Sequence, residues 1–172
     1  MAGVQAKRSK IEHYLDTHTT GSTAAWSRLG HKVAASEIAY NPVTEESYDI
    51  TMDNTITEIT GYKRSMAIEG VVYPGDDVFD YIDTMRIDMA VLESLQTEMV
   101  NVWAYKASIN TGSEQTPVLE WPAEKVKVTI GIESIGGDGG PNTAKIKYTI
   151  YDAGDPEKGT FEPISKKFTK AA

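Results

Sequence analysis

The segment GIESIGGDGGPNTAKIKY, residues 131–148, sets Gly136, Gly137, Gly139 and Gly140 between two runs of alternating apolar and polar residues. Before the glycines, Val126, Val128, Ile130 and Ile132 share one side of the pattern, and Lys125, Lys127, Thr129 and Glu133 the other. After them, Ile146, Tyr148 and Ile150 alternate with Lys145, Lys147, Thr149 and Tyr151. A period of two is the mark of a strand with one buried face. Two such runs around a glycine-rich link read as a β-hairpin. The competing reading, a phosphate cradle, fails on context. A Walker loop closes on Gly-Lys-Ser/Thr and opens a helix, and a dinucleotide fingerprint also needs strand, turn and helix in that order. Here Pro141-Asn142-Thr143 follows, and then a second strand. The glycines supply a turn.

Working outward, most of the chain repeats this period. SKIEHYLD, SEIAYNP, SYDITMDN, KRSMAIEGVVYP and EMVNVWAYKA are short, rich in β-branched and aromatic residues, and bounded by turn formers. Met66, Ile68, Gly70 and Val72 are expected on one face, and Tyr48, Ile50 and Met52 are expected inward, with Asp49 and Thr51 outward. One segment departs. PGDDVFDYIDTMRIDM, residues 74–89, places Val78, Phe79, Ile82, Met85 and Met89 on a helical stripe, with Asp76 and Asp77 at the positive end of a helix expected over 75–90. Residues 106–122 read as a long surface loop. The expectation is a single domain over 1–172, mainly β: a sandwich of two packed sheets, partly barrel-like, with one flanking α-helix. Extended arms are expected at its ends, an N-terminal strand and arm over about 1–30 and a C-terminal arm over 160–172.

The chain has 172 residues, 40% of them hydrophobic, and a net charge of −8. That charge argues against a protein that grips nucleic acid by neutralising phosphates. With no cysteine there is no disulfide framework and no thiolate chemistry. No apolar run suggests a signal peptide or a membrane span, so a soluble protein made in a cytoplasm is expected. The charge is segregated. No basic residue falls between Lys32 and Lys63, where Glu37, Glu45, Glu46, Asp49, Asp53 and Glu58 lie, whereas both ends are basic. A solvated face explains such a pattern, and so do termini that dock on other copies.

Candidate chemistry is sparse. His13, His18 and His31 have no ligand spacing. Asp76, Asp77, Asp80 and Asp83 surround a helix start, and Asp152, Asp155 and Glu157 lack the spacing of a calcium loop. No Gly-x-Ser-x-Gly elbow occurs. Neither a catalytic residue, nor a metal site, nor a cofactor is expected, and the chain reads as no enzyme. Trp26, between a Thr/Ser/Gly-rich stretch and RLGHK, reads as an aromatic anchor in a loose arm.

In order along residues 8–162, RSKIEHYLDT, AAWSRLG, SEIAYNPVTEESYDI, GYKRSMAIEGVVYPGDDVFDYIDTMR and IESIGGDGG…KIKYTIYDAGDPEKGTF resemble the major tail tube proteins of long-tailed phages and prophages of Gram-positive bacteria. The resemblance implies a structural virion protein, assembled in the host cytoplasm. Six copies would form a ring, and the rings would stack into a hollow tube through which DNA passes without specific binding. It implies as lumen-facing residues Glu37, Asp49, Thr51, Ser65 and Glu69, an acidic wall that repels phosphate. For a hairpin that stacks rings it implies Asn41, Pro42, Glu45, Glu46, Asp53 and Asn54. For inter-subunit arms it implies Arg8, Lys10, Trp26, Arg28, Lys166 and Lys167. Implied partners are further copies, a tape-measure protein, a tail terminator and distal tail proteins, with no membrane. The inner tube of a contractile tail or tail-like bacteriocin fits the same features. A monomeric β-sandwich that binds a ligand through 106–122 and its aromatics is the alternative from another class.

Overall fold

The computed structural model describes residues 6–18, 23–48, 55–137 and 143–171. Its strands are β1 (Ile11–Asp16), β2 (Trp26–Leu29), β3 (Val33–Ala39), β4 (Pro42–Tyr48), β5 (Thr55–Tyr62), β6 (Ser65–Val71), β7 (Gln96–Trp103), β8 (Ile109–Asn110), β9 (Leu119–Gly136), β10 (Lys145–Asp152), β11 (Glu157–Glu162) and β12 (Lys167–Lys170). Among the described residues there is one α-helix, α1 (Asp77–Ile87), between β6 and β7. The chain is thus mainly β with a flanking helix, as the alternation predicts.

The long sheet runs β2-β1-β7-β9-β10-β6-β3, all antiparallel. Its two outermost strands, β2 and β3, are consecutive in the chain and joined by Gly30, His31 and Lys32 alone. Such a link spans at most about 14 Å from the end of one strand to the start of the next, so the opposite ends of the sheet must meet. That connection curls the sheet into most of a barrel. A seam remains where β1 runs past the end of β2, and Arg8 crosses it. Its Nη2 donates to the Ser36 carbonyl at 2.9 Å and also bonds the Ser36 hydroxyl.

The interior is set by the alternation. Val126, Val128 and Ile130 of β9 join Ile146, Tyr148 and Ile150 of β10 and Met66 and Ile68 of β6, all buried. Helix α1 caps this face with Val78, Phe79, Ile82 and Met85. The Asp76 carboxylate accepts from the Phe79 amide at 3.1 Å, and so fixes where the helix starts. Gly136, at φ 136°, ends β9 in a conformation that favours glycine, where the turn begins. Residues 138–142, the rest of that turn, lie outside the described residues.

The sheet is buried on both faces along β1 and β7. On the second face β11 pairs with the first half of β9, and Phe161 covers Tyr14, Trp26, Val100 and Val102. This second layer completes the sandwich.

Three expectations are corrected here. Trp26 belongs to β2, is 6% exposed, and meets Phe161 edge-on at 6.5 Å, so it is a core residue of this chain rather than an anchor in a loose arm. Tyr48 does not face inward; it is 80% exposed, because nothing among the described residues covers β4. Met89 falls past the end of α1 and is exposed, so the stripe stops at Met85. Residues 160–170 fold within a β11–β12 hairpin, and the 106–122 loop contains β8 and the first residues of β9.

Candidate functional site

Among the described residues no group of three or more His, Cys, Asp or Glu could hold a metal ion, and the most distinctive features lie on the surface. The most prominent is the arm formed by β4 and β5. These strands continue β3 and β6 beyond the barrel, and none of their residues is buried. Asn41 makes the bend. It adopts φ 41°, and its side-chain nitrogen donates to the Lys63 carbonyl at 2.9 Å and to Ser65 Oγ at 3.1 Å. A short polar residue is the non-glycine type that tolerates this backbone. Along the arm Glu45 stands directly opposite Glu58, and Glu46 opposite Thr57. Like charges facing each other across a strand pair destabilise it. Tyr48, Ile59 and Tyr62 are exposed on the same arm.

The arm is rooted by Arg64. Its Nε donates to Asp152 Oδ2 at 2.6 Å, its Nη1 to Glu124 Oε1 at 2.6 Å, and its guanidinium lies 5.8 Å from the Tyr40 ring centre. Glu124 also accepts from Asn101 Nδ2 at 3.1 Å, and Asn101 Oδ1 is 2.7 Å from His13 Nδ1. A polar chain therefore runs from the seam through the wall to the base of the arm. Burial holds the His13 imidazole below its ordinary pKa, against the bond to Asn101. Burial pushes the Asp152 carboxyl above the usual range, although Arg64 opposes this.

The expected lumen residues separate. Glu37, Ser65 and Glu69 do share the face of β3 and β6 that is turned away from α1. Glu69, however, is paired with Lys145 at 2.5 Å and Lys147 at 3.4 Å, and hydrogen bonds from these lysines hold its carboxyl below the usual pKa. That face is charge-balanced at Glu69, and the acid gathers on the arm instead. Asp49, Thr51, Asp53 and Asn54 lie outside the described residues, whereas Asn41, Pro42, Glu45 and Glu46 all lie on the arm or at its bend.

Among the expected basic residues, Arg8 and Lys10 form the short 3-10 turn before β1, beside the seam, and Arg28 pairs with Glu12 at 2.9 Å. Lys166 and Lys167 stand at the β11–β12 turn, remote in sequence but beside Thr23, Ser27 and Lys125. Sequence reasoning missed the seam groove, lined by Ile11, Ile38, Tyr40, Trp103 and Tyr105, because only the sheet order brings these residues together. It also missed the exposed turn after α1. The run Ile87, Met89, Val91, Leu92 was the available signal, since an apolar cluster past a helix end has no stripe to join.

These surfaces define a class: a β-scaffold protein with a projecting arm and an open seam, whose distinctive groups face outward. No family model matches the chain, and no curated protein matches it. Among solved structures it is similar to the sheath/tube terminator of an extracellular contractile injection system (PVC) in the extended state. That match has 12% identity and a TM-score of 0.49, over 92% of this chain and 99% of the other. It is also similar to the sheath-tube complex of such a system in the extended state, at 12% identity and a TM-score of 0.45, over 90% of each chain. An overlap of this degree carries no function across, so the function rests on the surfaces of the chain itself.

Proposed function

We propose that this chain is a structural subunit that assembles with copies of itself into stacked rings, a tail-like tube, and that it is no enzyme. One observation carries the reading: the β4–β5 arm buries none of its own residues and sets Glu45 against Glu58. An isolated two-stranded hairpin is marginal in water, and the opposed carboxylates weaken it further. Such an arm is stabilised when it lies on another surface, and its charge selects a basic one. The resemblance in sequence to tail tube proteins supports the same role: an arm that reaches the next ring, six subunits per ring, and DNA passing through the lumen.

Salt and charge test this directly. Sedimentation of the purified protein across a salt series should show assemblies that weaken as salt screens the arm. Glu45→Lys with Glu46→Lys should shift assembly to higher protein concentration and flatten its salt dependence. Unchanged assembly and unchanged salt dependence in that variant would remove the arm from the contact.

A further inference from the structure

The turn that follows α1 is an apolar surface feature that the arm does not explain. Ile87, Met89, Val91 and Leu92 are 64%, 84%, 66% and 81% exposed within six residues. Its backbone is built to present them. Met89 takes φ 47° at the helix C-terminus, where glycine is usual, and the Ala90 amide returns to the Met85 carbonyl at 2.9 Å. Leu92 takes φ 54°, and Ser94 Oγ accepts from the Val91 amide at 2.9 Å. Large side chains held at positive φ in an ordered turn are costly, and such strain collects at functional surfaces. Asp88 and Glu93 flank the apolar residues, and no cation pairs with either among the described residues.

The seam groove complements this turn. Ile11, Ile38, Tyr40, Trp103 and Tyr105 line it. Arg8 stands at its rim, and Lys10 sits between the lining residues Ser9 and Ile11. Neither cation has a carboxylate partner among the described residues, whereas Arg28 at the same rim is taken by Glu12. Of the acids that line the groove, Glu37 alone lacks a pair among the described residues. An apolar knob with two carboxylates that no cation pairs thus faces a groove whose rim holds two cations that no carboxylate pairs among the described residues, Arg8 being held through the Ile11 and Ser36 carbonyls, against one unpaired acid, Glu37.

Within one copy they lie towards opposite ends of β7. The knob leads into Gln96 at the start of β7, and the groove is lined by Trp103 at its end. At ~3.3 Å per residue those ends are separated by more than about 20 Å. We infer that the turn 87–93 of one copy seats in the β1–β3 seam groove of the next. Because knob and groove are different surfaces, the contact is heterologous, and repeating it gives a ring or a filament. This rests on the self-assembly reading above and names the surface that joins neighbouring subunits, distinct from the arm.

The chain has no cysteine, so cross-linking isolates the contact. Two single variants, Leu92→Cys and Tyr105→Cys, each at an exposed position, are mixed under assembly conditions and treated with a short bis-maleimide. The expected product joins position 92 of one copy to position 105 of another, with little product joining two positions 92. A Met89→Asp, Leu92→Asp variant with an unchanged circular dichroism melt should need at least tenfold more protein to assemble. Intact assembly without the 92–105 product, or with the 92–92 product dominant, overturns the knob-and-groove contact and leaves the self-assembly reading standing. Assembly of the double aspartate variant at the wild-type concentration does the same. Wild-type protein that stays monomeric overturns both.

Discussion

Replacing Arg64 by Ala leaves Glu124 and Asp152 without the cation that lies 2.6 Å from each. The three side chains are only 10%, 14% and 16% exposed, so solvent replaces little of the lost charge. Removing one partner of a buried ion pair costs about 3–5 kcal/mol, because the remaining charge stays desolvated. For a chain of this size that lowers the melting midpoint by roughly 6–20 °C. The loss should depend on pH. Burial already raises the Asp152 carboxyl above its ordinary value, and without Arg64 nothing opposes that rise. A folded-state pKa above the unfolded one means the native state binds the proton more tightly, so stability falls as pH rises through it. The deficit of Arg64→Ala against wild type should therefore be largest near neutrality and shrink as the pH is lowered towards the carboxylate range. Urea melts of both proteins at several pH values measure it. A deficit below about 1 kcal/mol, or one that does not change with pH, would refute the view that Arg64 holds two buried carboxylates.

Other perturbations follow from the same geometry. Burial holds the His13 pKa below its ordinary value, so the unfolded chain takes up the proton first and wild-type stability should drop as the pH falls through that ordinary value; His13→Gln should flatten this part of a pH–stability curve. Phe161 is fully buried and its ring lies 4.6 Å from that of Tyr14, so Phe161→Ala should cost about 3–5 kcal/mol in a denaturant melt. A Cβ on Gly159 would overlap the Thr169 carbonyl oxygen, so Gly159→Ala should force β12 off β11 and speed amide exchange at Thr160 and Phe168 without unfolding the barrel.

Much of this fold is legible in the sequence, for reasons that can be located. The runs 126–132 and 146–150 alternate cleanly because one face of β9 and β10 is covered by α1 and the other is not. The helix shows through its stripe to Met85 and through Asp76 at its start. Trp26 reads as an arm residue because its neighbours are small and polar; its burial depends on Phe161, more than a hundred residues away. Tyr48 carries an alternation that says which residues share a face, but not whether any layer covers that face. The seam groove depends on β2 and β3 being the two ends of one sheet, a fact of topology that no local pattern encodes. The acidity of Glu45, Glu46 and Glu58 is visible in the sequence, and its position on an uncovered arm is not.

The central claim is that these outward surfaces join copies of the chain into rings. Negative-stain electron microscopy of the concentrated protein over a range of salt tests it most directly. Rings or hollow tubes that shorten or disperse as salt rises are expected, whereas a uniform field of single subunits at every concentration and salt would contradict it.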